Sequence, residues 1–281
     1  MISIIIPVFN EADNIANLLT HLLENSEGKN ISEIIIVDGG SIDGTQDIVK
    51  NFIPSSDSEH SSELYREAFS NVLDTKFQKR NFTRTDAQLG SEIGDPESSS
   101  GWHIQSKILF LESSKGRAKQ MNCGAKHAKG TILYFLHADS FPPKNFDQFI
   151  INEVQKENEA GCFRMRFDSH HWWLRLASWL TQFNWRASRG GDQSQFITKT
   201  LFNTIGGYDE AYVIYEDNML INELYARDQF TVINKKLTTS ARLYRKHGVW
   251  KVQYHFCTIY LKKWFGASAE DLVAYYKKNI C

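Results

Sequence analysis

Ile2-Ser3-Ile4-Ile5-Ile6-Pro7-Val8-Phe9-Asn10-Glu11 opens the chain, and Ile34-Ile35-Ile36-Val37-Asp38-Gly39-Gly40-Ser41 repeats its pattern. Each is an apolar run rich in β-branched residues and too short for a long helix, which suits a strand buried on both faces. Each breaks off in polar residues at what becomes the strand's carboxyl end, the edge where open parallel α/β sheets bind ligands. Asn10 and Glu11 stand at the first tip, Asp38 and Ser41 at the second. Carboxylates at two adjacent tips can accept hydrogen bonds from the hydroxyls and ring N–H of a nucleoside.

Working outward, residues 11–24 carry Ile15, Leu18, Leu19, Leu22 and Leu23 at helical spacing, and Ile48, Val49 and Phe52 mark a short helix after the second strand. From 54 to 104 the chain turns rich in serine and acidic residues. Inside this stretch Leu64, Tyr65, Ala68, Phe69, Val72, Leu73 and Phe77 form one amphipathic stripe. The segment reads as an insertion with one helix and flexible flanks, joined to the sheet edge away from the ligand side. Order resumes with strands at 108–111 and 131–136, separated by a helix from Gly116 to Lys129. A helix at 145–157 and a strand at 161–167 follow. Trp172 to Trp185 reads as one aromatic-rich helix, and Gln195 to Ile197 as a strand. A helix at 217–226, strands near 230–234 and 239–243, and helices from Val249 and Ser268 close the chain. Ser268 with Asp271 matches a capping box.

Composition sets bounds. The 281 residues suffice for one large α/β domain, and a net charge of −1 gives no electrostatic footprint for nucleic acid. Four cysteines without CxxC spacing suit reduced thiols in the cytoplasm. The start does not read as a signal peptide: no basic region comes first, and Pro7, Asn10, Glu11 and Asp13 interrupt the apolar segment at once. No run approaches the ~20 apolar residues of a membrane span.

Four constellations carry the chemistry. His137-Ala138-Asp139 ends the fourth strand at the ligand edge. Glu216-Asp217 follows Gly206-Gly207-Tyr208-Asp209-Glu210 and opens a helix, where the helix dipole alone would also favour acids. Gly190-Gly191-Asp192-Gln193 precedes a strand and permits close backbone approach to a ligand. Lys115-Gly116-Arg117-Ala118-Lys119 opens a helix, with Arg117 suited to a diphosphate. Later, Arg242, Arg245, Lys246 and His247 form a basic cluster. Two aromatic segments, 172–185 and 249–265, mix tryptophans with basic residues; each is either core or a membrane-facing, lipid-acceptor surface.

In this order and spacing the motifs resemble the family 2 glycosyltransferases of A-type fold. The Val37-Asp38-Gly39-Gly40-Ser41, Phe135-Leu136-His137-Ala138-Asp139, Gly191-Asp192-Gln193 and Thr239-Ser240-Ala241-Arg242 strings most resemble the bacterial "rSAM/selenodomain-associated transferase 2"-like group. The resemblance covers nearly all of the chain outside the insertion. It implies a single domain over 1–281 with a mixed, mainly parallel sheet, and inverting transfer of a sugar from a nucleotide-diphosphate donor, UDP-linked first. The acceptor is left open among sugars, lipids and small molecules. Pro7, Asn10, Glu11, Asp38, Gly40, Ser41, Arg117, His137, Ala138, Asp192 and Gln193 would form the donor site. Asp139, with His247, would hold Mn²⁺ or Mg²⁺ against the leaving diphosphate. Asp217 would be the general base, oriented by Glu216. The family pattern is Asp-x-Asp where this chain has His137-x-Asp139, a departure that would favour Mn²⁺. That departure also keeps open a non-catalytic nucleotide-sugar-binding or membrane-surface scaffold. A nicotinamide oxidoreductase fails for want of a glycine-rich turn after the first strand. A sugar nucleotidylyltransferase fails for want of its arginine-containing loop there.

Overall fold

The computed structural model describes residues 1–53 and 107–280. The insertion at 54–104, with its Leu64–Phe77 stripe, and Cys281 lie outside the described residues. The strands are β1 (Ile2–Val8), β2 (Ile31–Asp38), β3 (Ile108–Glu112), β4 (Ile132–Phe135), β5 (Ser140–Phe141), β6 (Ala160–Phe167), β7 (Gln195–Thr198) and β8 (Thr231–Thr239). The helices are α1 (Ala12–Asn25), α2 (Thr45–Phe52), α3 (Arg117–His127), α4 (Phe146–Gln155) and α5 (Trp172–Leu180). Then come α6 (Lys199–Ile205), α7 (Glu216–Ala226), α8 (Arg242–His247), α9 (Val249–Trp264) and α10 (Ala269–Asn279).

All these strands join one sheet in the order β3-β2-β1-β4-β7-β6-β8-β5. β3, β2, β1 and β4 run parallel, while β7 lies antiparallel between β4 and β6. The fold is the A-type α/β fold expected. All seven residues of β1 are buried, and its alternation explains why. Ile4, Ile6 and Val8 face the core under α1, whereas Ile5 joins Val37 and the buried face of α3 on the other side. Gly124 lets α3 lie close there: a Cβ at this position would stand 2.5 Å from Ile5 Cγ2.

Three readings need correction. The 172–185 helix stops at Leu180, because buried Arg189 takes the carbonyls of Thr181 (2.7 Å) and Phe183 (2.5 Å) that another turn would use. Short 3₁₀ turns at Arg186–Ser188 and Gly191–Gln193 follow. The strands expected at 230–234 and 239–243 are one strand, β8. Its pairing with β6 jumps from Phe163↔Ile233 to Arg164↔Lys236, which breaks the alternation. Beyond Thr239 the chain turns into α8. Asp168 Oδ1 accepts the Ala241 N–H at 2.5 Å and Ser240 Oγ accepts that of Arg242. Helix α6, not foreseen, is capped by the Thr198 hydroxyl, and the Ser268–Asp271 capping box is present.

Candidate active site

The carboxyl ends of β1 and β2 meet as an interlocked pair of loops. Asp38 is fully buried. Its carboxylate accepts hydrogen bonds from the N–H groups of Gly40 (3.1 Å) and Ser41 (2.9 Å), from Ser41 Oγ (2.5 Å) and from Gln46 Nε2 (2.7 Å). Gly40 makes that turn possible with φ at +88°. Ser41 Oγ accepts the Asn10 N–H, and Asn10 Oδ1 accepts the Ile42 N–H. Asp38, Asn10, Gly40 and Ser41 thus come together as expected, with Asp38 organising the loop. Pro7 lies buried in β1 opposite Val37. Gln120, on α3, was not foreseen: its Nε2 donates to Val8 O and Val37 O, both at 2.7 Å, tying the two strand ends together. A polar residue on the inward face of a helix was its only signal.

Glu11 does not stand free. Arg242, the first residue of α8, grips its carboxylate with both terminal nitrogens and places Nε 3.4 Å from Asp139 Oδ2. Of the late basic cluster, Arg242 therefore reaches the donor edge. His247 ends α8 and is not among the residues lining the cavity below. Ala138 is buried, and His137 is half-buried beside Asp139. Burial raises the Asp139 pKa; His137 and Arg242 oppose that, and Asp192 and Glu11 add to it.

Among the described residues no three His, Cys, Asp or Glu side chains form a metal-holding group. The residues fit a divalent cation in a restricted sense. Asp139 offers one carboxylate at an acid-rich edge, and Mg²⁺-type ions commonly take one or two protein carboxylates with substrate phosphates and water supplying the rest.

A cavity of about 680 Å³ runs from this edge under α7. Asp139, Asp192, Arg117, Arg242 and Asp217 line it, facing an apolar wall of Trp173, Leu180, Trp185, Phe256 and Tyr260. The two acids that open α7 have separate places. Asp217 reaches the cavity and accepts no hydrogen bond from the described residues. Glu216 is fully buried and does not line the cavity. It faces Arg117 Nε at 2.7 Å, without the alignment of a hydrogen bond, and among the described residues neither of its oxygens has a hydrogen-bond partner. Burial pushes its pKa up to about 7, with Arg117 opposing and Asp217 adding to the rise. Arg117 is thus engaged by the acids of α7, and Arg242 is the cation beside Asp139. Gly191 packs against Asp217 so closely that a Cβ there would lie 2.0 Å from Oδ2. Next to it Gln193 is buried, its amide taken by Arg189 Nη1 (2.6 Å) and Ser188 O (2.6 Å), so it shapes the loop from within.

The raised Glu216 pKa has a thermodynamic consequence. In the folded chain the proton stays on until about pH 7, whereas in the unfolded chain it leaves near 4.5. Between those values the folded state binds more protons, so stability falls as pH rises through that window. Glu216→Gln should remove the slope. Urea unfolding at pH 5 and pH 8 should show the wild type losing on the order of 1–3 kcal/mol more than the variant. Equal losses would mean Glu216 is already ionised at pH 5.

The description Glycosyl transferase family 2 matches residues 3–67 and 97–266. The chain belongs to that family. A 56-residue stretch, 20% of this chain and 18% of the relative, is 41% identical to glycosyltransferase AglE of Haloferax volcanii. Two solved structures share the fold. S. aureus TarS 1-349 in complex with UDP-GlcNAc superposes with a TM-score of 0.54 at 14% identity, over 85% of this chain and 58% of that one. Mannosyltransferase PcManGT from Pyrobaculum calidifontis, in complex with GDP-Man and Mn²⁺, gives 0.56 at 15% identity, over 92% and 61%. The chain therefore spans less than two thirds of the length of each of these relatives.

Proposed function

We propose that this chain transfers a sugar from a nucleotide-diphosphate donor, UDP-linked, to an acceptor hydroxyl with inversion at the anomeric carbon. The observation that carries the reading is Asp217, a carboxylate without a hydrogen-bond partner among the described residues, lining the same cavity as Asp139 and Arg242. In a single displacement the acceptor oxygen attacks the anomeric carbon and gives its proton to Asp217. The bond from that carbon to the diphosphate breaks, and its electron pair leaves with the diphosphate. Glu216 and Arg117 position Asp217 and balance its charge. Arg242 and Asp139 mark the diphosphate end, and the loops at Asn10 and Asp38–Ser41 the nucleoside end. Asp192 lines the same cavity as Asp139 and Asp217 and is the candidate contact for the transferred sugar, beyond the diphosphate. Asp139 would hold Mn²⁺ or Mg²⁺, which when bound would offset the charge building on the leaving diphosphate. The preference for UDP is supported by the family resemblance and by the UDP-GlcNAc bound to TarS, while the GDP-Man bound to PcManGT makes GDP the rival base. The subgroup reading is supported by the strings around Asp38, Asp139, Asp192 and Arg242.

Calorimetric titration with UDP, GDP and their sugar conjugates, with and without Mn²⁺, tests the donor. Mn²⁺-dependent binding of UDP compounds is expected. Binding of GDP compounds alone would reassign the base, and equal binding without metal would leave the cation's role to Arg242. No binding of any of them would sink the transferase reading.

A further inference from the structure

Beyond its inward face, the aromatic region has an outward one. On α9, Trp250, Tyr254, Cys257, Leu261 and Trp264 follow one another by four, three, four and three residues, so they form a single stripe along the helix. All five are exposed, Trp264 at 81%. Val252 and Ile259, the buried residues of α9, occupy the opposite side. Helix α5 and the turn after it repeat the device: Trp172, Leu176, Trp179 and Phe183 have the same spacing and are all exposed, whereas Leu174 is buried. The two stripes start from one knot, where Trp250 lies 5.8 Å from Trp172 and 5.4 Å from Trp173, ring centre to ring centre.

Charge around these stripes is one-sided. Between Asp228 and Glu270 the sequence has eight lysines and arginines and no acid; between Asp168 and Asp192 it has three arginines and no acid. The whole chain carries a net charge of −1, so these stretches are basic relative to the rest, although Arg189 is buried and Lys235 lies over Phe149 of α4. Arg242 and Arg245 are held by acids; Arg175, Lys246 and Lys251 are exposed, and so is Lys262, which lies over the Tyr275 ring with Asp271 nearby. On α9, Lys251 and Lys262 flank the apolar stripe on the same side.

We propose that this face is a docking surface for an anionic lipid bilayer, with α9 and α5 lying in the plane of the headgroups. A large exposed apolar patch marks a contact site. Aromatic residues on one face with lysines and arginines beside them suit the interface of a membrane carrying negative lipids. Two further observations narrow the occupant. No described helix is long and apolar enough to cross a membrane, so the face lies on the bilayer without a span. A second copy of the same face would bring like charge against like charge, which opposes self-association through it. The inner sides of α5 and α9 supply Trp173, Leu180, Phe256 and Tyr260 to the cavity wall. Docking therefore brings the cavity beside the lipid surface. Lipid docking of this face would occur whichever donor the cavity takes.

The test is flotation of the full chain with vesicles of phosphatidylcholine alone or with one-third phosphatidylglycerol, at low and physiological salt. Tryptophan emission is read alongside. Binding is expected only to the phosphatidylglycerol vesicles, weaker as salt rises, with a blue shift as tryptophan leaves water. Tyr254→Ser with Trp264→Ser should lower vesicle affinity at least tenfold and abolish the shift. Lys251→Glu with Lys262→Glu should lower it comparably. Unchanged thermal unfolding and donor titration would show that both variants are folded. Failure of the wild type to float with anionic vesicles overturns the proposal. So does equal binding by the variants, or a wild-type dimer in sedimentation that Tyr254→Ser with Trp264→Ser dissolves, which would make the face a contact between copies.

Discussion

Replacing Asp217 by asparagine should lower turnover by about 10²–10⁴-fold while leaving donor affinity within about twofold of the wild type, the range that loss of a general base produces. Asparagine keeps the shape and can still orient an acceptor hydroxyl, but it cannot take the proton as the new bond forms. The separation of the two effects is the informative part. Asp217 lines the cavity with its apolar wall, and the proposed diphosphate end lies at Asp139 and Arg242. A binding protein without chemistry would show no turnover in either form and equal donor titrations. Equal turnover by both forms would move the base elsewhere, with Asp192 the next carboxylate lining the cavity. Rate measurements across pH would then follow Asp192→Asn.

The second large effect is expected from a single methyl group. Gly191→Ala would place a Cβ 2.0 Å from Asp217 Oδ2, well inside any permitted contact. Either the Gly190–Gln193 loop or the carboxylate must shift. The loop resists, because buried Gln193 is bonded to Arg189 and Ser188 and the 3₁₀ turn over Gly191–Gln193 fixes its path. Displacing a reacting group by about 1 Å can cost ~10²-fold in rate. Turnover should fall by about that factor, with donor affinity changed far less, as a calorimetric titration run beside a rate assay would show. A variant with normal turnover would mean that the loop yields instead, and that Gly191 is present for chain path alone.

The sheet was legible because its central strands are buried on both faces. β1 and β2 are continuous β-branched runs, and no other element accommodates such runs in so few residues. Their polar tips meet at one edge of the sheet, where the Asn10 and Asp38–Ser41 loops interlock. The errors came where tertiary contacts override local pattern. Nothing in 172–185 reveals that Arg189 will intercept the carbonyls of Thr181 and Phe183 and end α5 early. The offset between Ile233 and Lys236 hides the continuity of β8. Within the site, residue types announce chemistry but not partners. Glu11 and Asp139 read as ligands, yet both face Arg242, some 230 positions from Glu11 in sequence. Glu216 and Asp217 are neighbours in sequence, and only the packing of α7 sends one into the protein and the other into the cavity. Gln120 and Gln46, which hold the donor loops in shape, are ordinary helix residues until the fold turns them inward.

The grip of Arg242 on Glu11 and Asp139 means that the cleft supplies its own counter-ions. On the proposed reading, an incoming diphosphate meets a guanidinium already engaged by carboxylates and competes with them for it. Measured donor affinity is therefore a difference between two anion complexes of similar kind, smaller than the contacts in either would suggest. The same exchange runs backwards after transfer. On that reading, the return of the carboxylates to Arg242 would favour release of the nucleoside diphosphate.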